Sequence, residues 1–218
     1  MGLTVELEVG RQAFVESVES FLRAVDGFDE HALLAASRCH GWTRLDVVTH
    51  MVGGWQEMLG GLVSAVEAEP TVDAASYWPA FAEEYAGDPI GTLMAQRRRT
   101  AVYSRPSGAC EQLRDVGAMV LRGATGTTDA RYSWQGHVFT AGDYLTIWAV
   151  ENAIHHLDLL SDEPAPAGAM ELSRATVEAL AGPLPEGWST EQTVLIGTGR
   201  LPVPDGAGTV ADRLPALG

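Results

Sequence analysis

Apolar residues recur every three or four positions along most of the chain, the spacing of one buried face of an α-helix. The first such stretch covers residues 5–26. Its apolar positions are Phe14, Val18, Phe21, Leu22 and Val25. The same spacing, read with the positions of Gly and Pro, predicts further helices over 43–67, 76–85, 90–103, 110–121, 142–160, 171–180 and 189–198.

Capping residues mark where two of the longer helices begin. Thr43 is followed three residues later by Asp46, and Thr140 is followed by Asp143. In such a pair the threonine oxygen accepts a hydrogen bond from a free backbone N–H of the first helical turn. We therefore predict one helix starting after Thr43 and another after Thr140.

Between the helices, Gly and Pro predict turns. Breaks are expected at Gly87-Asp88-Pro89 and near Pro106 and Gly108. Residues 123–142 are rich in Gly and Thr and predict a loop, with a short extended piece at Tyr132-Ser133-Trp134.

These elements predict an all-α protein with a helical bundle at its centre, because no strands alternate with the helices and no repeat is visible. We expect the bundle to occupy residues 1–162. Residues 163–218 would form a short helical extension packed on it. The Gly-rich tail after Pro202 is expected to be mobile.

Composition and charge exclude several classes of function. The chain has 218 residues, and its 29 acidic side chains against 14 basic ones give a net charge of −15. Such a charge repels nucleic acid. No apolar run is long enough for a membrane span, and the first ten residues lack the features of a secretory signal, so we expect a cytoplasmic protein. Cys39 and Cys110 are far apart and are expected to be ordinary reduced thiols.

Charged residues on the helix over 142–160 carry the strongest chemical signal. With about 100° per residue, Glu151, His155 and Asp158 fall within one stripe that is otherwise aromatic and aliphatic. A carboxylate buried on such a stripe needs compensation. Glu151 and His155 are four residues apart and can reach one metal ion, but a hydrogen-bonded pair without metal is equally consistent. Asp158 is expected to orient His155.

Other candidate residues are less distinctive. His156 points away from the stripe and is expected to pack or face solvent. His50 lies at the edge of its own helix's apolar arc, near Gly54 and Gly61, and periodicity alone predicts a partly exposed histidine. Three further aromatic residues, Trp55, Tyr144 and Trp148, could line a pocket, although core packing is their expected role. An anion-binding group could lie among Arg97, Arg98 and Arg99, although a solvated face is the simpler interpretation of that run.

Two segments resemble a known family. Residues 42–50 (Trp-Thr-Arg-Leu-Asp-Val-Val-Thr-His) and residues 151–159 (Glu-Asn-Ala-Ile-His-His-Leu-Asp-Leu) resemble the two metal-binding motifs of the mycothiol-dependent maleylpyruvate isomerase family, within the DinB-like superfamily. The Gly197-Thr198-Gly199-Arg200 segment is similar to a short motif that often follows in relatives. The resemblance spans roughly residues 10–200.

The resemblance implies a DinB-like four-helix bundle and a divalent metal, zinc first and nickel second, bound by His50, Glu151 and His155. It also implies mycothiol as a cosubstrate. Only about sixty residues follow the second motif here, whereas the isomerase has a sizeable second domain, so the isomerase reaction itself does not follow.

The expected function is therefore a metal-dependent enzyme that activates a low-molecular-weight thiol. The thiol would be transferred to an electrophilic small molecule or would assist its cis–trans isomerisation. Three alternatives stay open: a metal-dependent hydrolase, a non-catalytic bundle that binds a metal or small ligand, and a purely structural Glu–His–Asp cluster. The partners would be the thiol and the electrophile, and the protein a monomer or homodimer.

Overall fold

Four long helices form the centre of the protein in a computed structural model, which describes residues 2–85 and 88–217. They are α1 (Leu7–Asp26), α3 (Arg44–Leu62), α6 (Pro106–Gly126) and α7 (Ala141–Asp158). Helix α1 packs against α7 and α6, and α3 packs against α6 and α7. The protein is thus mostly helical around a central bundle, as predicted. Gly87, part of an expected break, lies outside the described residues.

Shorter helices surround this bundle. They are α2 (Glu30–Leu33), α4 (Tyr77–Tyr85), α5 (Pro89–Thr100), α8 (Ala167–Ala181), α9 (Thr190–Gly197) and a 3-10 helix (Gly208–Arg213). Helix α5 packs on α3, α8 packs on α1 and α7, and α9 packs on α8. None of the helices in the described ranges has the length and hydropathy that a membrane span requires.

A small sheet interrupts the otherwise helical chain. Its three antiparallel strands lie in the order β1 (Ala65–Val66), β2 (Arg131–Trp134) and β3 (His137–Thr140). Ala65 pairs with Tyr132, and Tyr132 pairs with Phe139. The predicted extended piece is thus part of a hairpin, and α3 ends five residues before its predicted end because Ala65 and Val66 bond to β2 instead.

Helix starts agree with the predicted caps. Thr43 and Asp46 form a complete capping box, and the Thr140 hydroxyl accepts from the Asp143 backbone N–H at 3.1 Å. Pro106 does mark a break, and it is also the first residue of α6. A proline is well placed there because the first helical N–H has no partner within the helix.

Two glycines allow α1 and α7 to approach closely. A Cβ on Gly142 would lie 1.9 Å from the carbonyl oxygen of Val5, and a Cβ on Gly10 would lie 2.5 Å from the carbonyl oxygen of Gly142. The Val5 backbone N–H also donates to the Asp143 carboxylate at 2.8 Å. This contact fixes the start of α7, the helix that carries most of the candidate site.

The C-terminal residues return to the body of the protein. The backbone N–H groups of Ala216 and Leu217 both donate to the Gly197 carbonyl, at 2.8 and 2.9 Å, and Leu217 is buried. The mobility expected for this tail stays a prediction.

We expect Gly142→Ala to lower the free energy of unfolding by about 1–3 kcal/mol, because the added methyl group forces α1 away from α7. Chemical denaturation would measure the change. Gly60→Ala is the matched control, since nothing lies within 4 Å of a Cβ at that helical position. It should raise stability by about 0.5–1 kcal/mol. Equal effects of the two substitutions would contradict the close-approach argument.

Candidate metal centre

Helices α3 and α7 bring His50, Glu151 and His155 together. The Nε2 atoms of His50 and His155 each lie 3.2 Å from the same carboxylate oxygen of Glu151. One donor atom from each side chain falls within 4.8 Å of the other two. His50 projects from the second turn of α3, so the capping box at Thr43, which fixes where α3 starts, also fixes the position of His50 along the helix axis relative to α7. The motifs a hundred residues apart therefore meet at one point.

Neighbouring groups and burial shift the pKa values of His50, Glu151 and His155, which together are called the triad. Burial by itself raises the pKa of Glu151, but the two imidazoles outweigh it and hold that pKa well below its usual value. Burial by itself lowers the pKa of His155, but Glu151 and Asp158 raise it well above the usual value. Burial lowers the pKa of His50 despite its bond to Glu151. The triad is thus a carboxylate facing two imidazoles of unequal basicity.

Asp158 fixes the orientation of the His155 ring. Its carboxylate is fully buried and accepts from Nδ1 of His155 at 3.0 Å. Arg200 donates to both Asp158 oxygens, at 2.9 and 2.8 Å, and the Cys39 thiol donates at 3.0 Å. Although burial raises the pKa of Asp158, these donors hold it well below the usual value. Nδ1 is thereby engaged, and Nε2 is turned toward Glu151 and His50.

Cys39, His155 and Asp158 form a second group whose donor atoms also lie within 4.8 Å of one another. Arg200 already supplies a positive charge to that group, with its Nη2 atom 2.8 Å from Asp158 and 3.8 Å from the Cys39 sulfur. A second cation there would face direct repulsion. The group is better described as the support for His155.

A cavity of about 120 Å³ opens beside His50 and Glu151, whose side chains keep 29% and 24% of their exposure. Its wall is mainly aromatic. The lining residues are His50, Gly54, Glu57, Tyr77, Trp78, Phe81, Arg99, Trp134, Gln135, Ile147, Trp148 and Glu151. The site therefore combines polar donor atoms with an apolar space large enough for a small molecule.

A second cavity also borders Glu151. It is lined by Trp78, Phe81, Ala82, Glu151, Ile154, Arg200 and Leu217. Trp78 and Phe81, both on α4, border the two cavities. Glu151 consequently lies where the two spaces meet.

Several predicted residues have other positions. His156 is buried away from the site, where its Nε2 lies 2.9 Å from the Glu163 carbonyl oxygen. Trp55 and Tyr144 belong to the core, as expected, but Trp148 also lines the first cavity. Gly54 leaves room for that cavity. Gly61 instead accommodates the Tyr144 hydroxyl, which a Cβ there would meet at 2.0 Å.

Helix α7 is buried more completely than its predicted stripe implies. Polar residues off the stripe are buried too, including Asn152, which accepts from Trp55 Nε1 at 2.9 Å. Within the stripe, Glu151 keeps partial exposure because it borders the cavities. A single-helix projection cannot separate these cases, since α1, α8 and the sheet cover the other sides of α7.

Some site residues were not anticipated from periodicity. Trp42 lies 5.3 Å from the His50 ring and stacks parallel to the His155 ring at 6.4 Å, and Arg200 anchors Asp158. Trp42 and Arg200 lie in segments that carry the family resemblance, so their position in a motif is the signal in the sequence that could have identified them. The aromatic residues of α4 carried none, because Tyr77, Trp78 and Phe81 resemble ordinary core residues.

The fold and this triad define a helical-bundle protein with a cluster of the metal-ligating type. Residues 14–160 match the family described as the mycothiol maleylpyruvate isomerase N-terminal domain, and the chain belongs to that family. Two solved structures are similar, the mycothiol-dependent maleylpyruvate isomerase and a histidine-to-alanine mutant of it. Both have a TM-score of 0.56, with 16% and 17% identity, and cover 79% of this chain and 70% of theirs. A search of curated proteins finds no match.

We expect Asp158→Asn to lower the free energy of unfolding by about 3 kcal/mol, because it leaves the partly buried Arg200 guanidinium without its counter-charge. Denaturation at neutral pH would measure this. Asp26→Asn is the matched control, since Asp26 pairs with Arg114 on the surface with both side chains half-exposed. That substitution should have a much smaller effect.

The difference in unfolding free energy between wild type and Asp158→Asn should depend on pH. The pKa of Asp158 is lower in the folded protein than in the unfolded chain, so its stabilising effect is full above about pH 4. It is lost as the pH falls through the folded-state pKa. A difference between wild type and Asp158→Asn that grew as the pH fell below about 4 would contradict this assignment.

Proposed function

We propose that this protein binds a divalent metal, zinc first, through His50, Glu151 and His155, and uses it to activate a low-molecular-weight thiol such as mycothiol. The thiol would be transferred to an electrophilic small molecule or would assist its cis–trans isomerisation. The spacing of the three donor atoms carries this proposal. Zinc with ligand bonds near 2.0–2.1 Å places neighbouring ligand atoms about 3.4 Å apart, close to the 3.2 Å measured from each imidazole to Glu151.

The chemistry of the donor set also suits zinc. Two imidazoles and one carboxylate are ligands of catalytic zinc sites, which keep one coordination position for water or substrate. A metal-ligating histidine usually donates from its other ring nitrogen to a carboxylate. Asp158, which is paired with Arg200, is such a carboxylate for Nδ1 of His155. A bound zinc supplies positive charge that lowers the pKa of a thiol and makes it a thiolate.

The chain's own residues would then organise the reaction. Asp158 holds the His155 ring so that its Nε2 faces Glu151 and His50. Trp42 packs against both imidazoles. The aromatic residues of α4 restrict water around Glu151. Trapping a thiol and an electrophile side by side raises the rate by orientation alone.

The two cavities support a reaction of two substrates. Both border Glu151, so one cavity would hold the thiol and the other the electrophile, each next to the triad. Hydrolysis of one substrate would need only one such space. The family name adds weight to mycothiol as the thiol, since the similar solved structure is described as mycothiol-dependent.

Metal binding is the first test. Metal-free wild-type protein should bind one zinc per chain in a calorimetric titration, and His50→Ala and Glu151→Gln should each weaken binding by about 100-fold or more, because each removes one of three ligands. His31→Ala is the matched control, an exposed histidine on α2. Zinc affinity unchanged in His50→Ala would refute the ligand assignment.

Turnover is the second test. Zinc-loaded protein would be incubated with mycothiol and either maleylpyruvate or chlorodinitrobenzene, and both free thiol and electrophile would be followed. Loss of thiol indicates transfer, and conversion of the electrophile with constant thiol indicates isomerisation. Both activities should disappear in His50→Ala and persist in His31→Ala. Zinc binding with neither activity across a wider electrophile panel would favour a non-catalytic binding protein.

A further inference from the structure

The structure separates the three consecutive arginines of α5. Arg97 donates to the Gly41 carbonyl at 2.6 Å, and Arg98 is exposed and lies outside both cavities. Arg99 alone of the three lines the cavity beside His50 and Glu151. A run that looked uniform in the sequence therefore presents one cation to the candidate site.

Arg99 is positioned but not neutralised. Its guanidinium carbon lies over Gly53 of α3, where a Cβ would stand 3.5 Å away, and Nη1 donates to the Gln96 side chain at 3.1 Å. The Gln96 amide is buried and donates to the Asp46 carbonyl and the Thr49 hydroxyl, both at 2.8 Å. No carboxylate of the described side chains comes within 4.0 Å of the guanidinium.

The rest of the cavity is apolar around this cation. Five aromatic side chains, from Tyr77, Trp78, Phe81, Trp134 and Trp148, form its wall. The volume of about 120 Å³ is near that of an engineered cavity, about 150 Å³, that holds one benzene molecule. A flat body of about one ring would pack against these faces.

The positive charge of Arg99 lies at one end of the cavity. Apart from the triad, its charged lining residues are Arg99 and Glu57. Glu57 follows His50 by seven residues on α3, which places it about 10 Å farther along the helix axis. Arg99 lies over Gly53, less than one turn from His50. An anion is therefore favoured near the triad and disfavoured at the far end.

We propose that this cavity is the electrophile site and that it selects a small monocarboxylate with a flat apolar body, with the carboxylate paired to Arg99. As a substrate site this rests on the proposed function, although the binding itself does not. Arg99 would be a specificity residue. Its planar guanidinium can hold a carboxylate with two parallel hydrogen bonds.

Calorimetric titration with cinnamate and cinnamamide tests the proposal, because these probes share a flat body and differ in charge. Cinnamate should bind wild type and Arg98→Ala alike and should bind Arg99→Ala at least about tenfold more weakly. Cinnamamide should bind all three proteins equally. Both zinc-free and zinc-loaded protein are used, since the loss at Arg99 must appear without a metal that could hold the carboxylate.

Equal cinnamate affinities of Arg99→Ala and Arg98→Ala would overturn the proposal. So would an equal loss of cinnamamide affinity in Arg99→Ala, which would indicate a change of shape rather than of charge. Arg99→Lys should recover part of the cinnamate affinity because it restores the positive charge.

A dicarboxylate probe tests whether the cavity prefers ligands with a single carboxylate. Fumarate should bind wild type more weakly than cinnamate, and Glu57→Gln should strengthen fumarate binding several-fold. Fumarate binding tighter than cinnamate would overturn the monocarboxylate assignment. These titrations contain no thiol, so absent turnover would refute the proposed function alone, and absent selectivity would refute the Arg99 proposal alone.

Discussion

Helix α7 must bury a negative charge at its C-terminal end, and the surrounding structure supplies the compensation. Asp158 has no exposed side-chain surface, so its charge depends on donors from three separate parts of the chain: Arg200, His155 and Cys39. An unpaired charge at that depth would cost several kcal/mol. The turn after α9 and the segment before α3 are therefore tied to the same carboxylate.

This anchor also sets the geometry of the triad. Because Asp158 engages Nδ1 of His155, the opposite nitrogen faces Glu151, and Glu151 in turn faces His50 on α3. The Gly10–Gly142 contact and the Asp143 bond to Val5 hold the other end of α7. A helix fixed at both ends can present three polar groups at reproducible distances, which a metal site requires.

Family membership is consistent with this arrangement but does not define the chemistry. The chain shares its fold with solved isomerase structures at 16–17% identity, and sites diverge faster than folds. Part of the wall of the cavity beside His50 comes from α4, α5 and the hairpin, outside the two motifs that carry the resemblance, and α3 and α7 supply the remainder.

Local sequence patterns determined the helical class, the capped starts of α3 and α7, and the pairing of Glu151 with His155 four residues later. These features depend on contacts within a few residues, which the order of side chains specifies directly. The pairing of His50 with them came only from resemblance, since periodicity predicted a histidine at the edge of its helix.

Tertiary structure decided the rest. It placed Arg99, of three adjacent arginines, at the cavity. It brought Cys39, which the sequence predicts to be an ordinary reduced thiol, into contact with Asp158, and it placed Trp78 and Phe81 at the border of two cavities. It also ended α3 early, because strand pairing with β2 competes with the last helical turn. Contacts of this kind join residues up to about 160 positions apart, and nothing in the local order of side chains encodes which distant groups will meet.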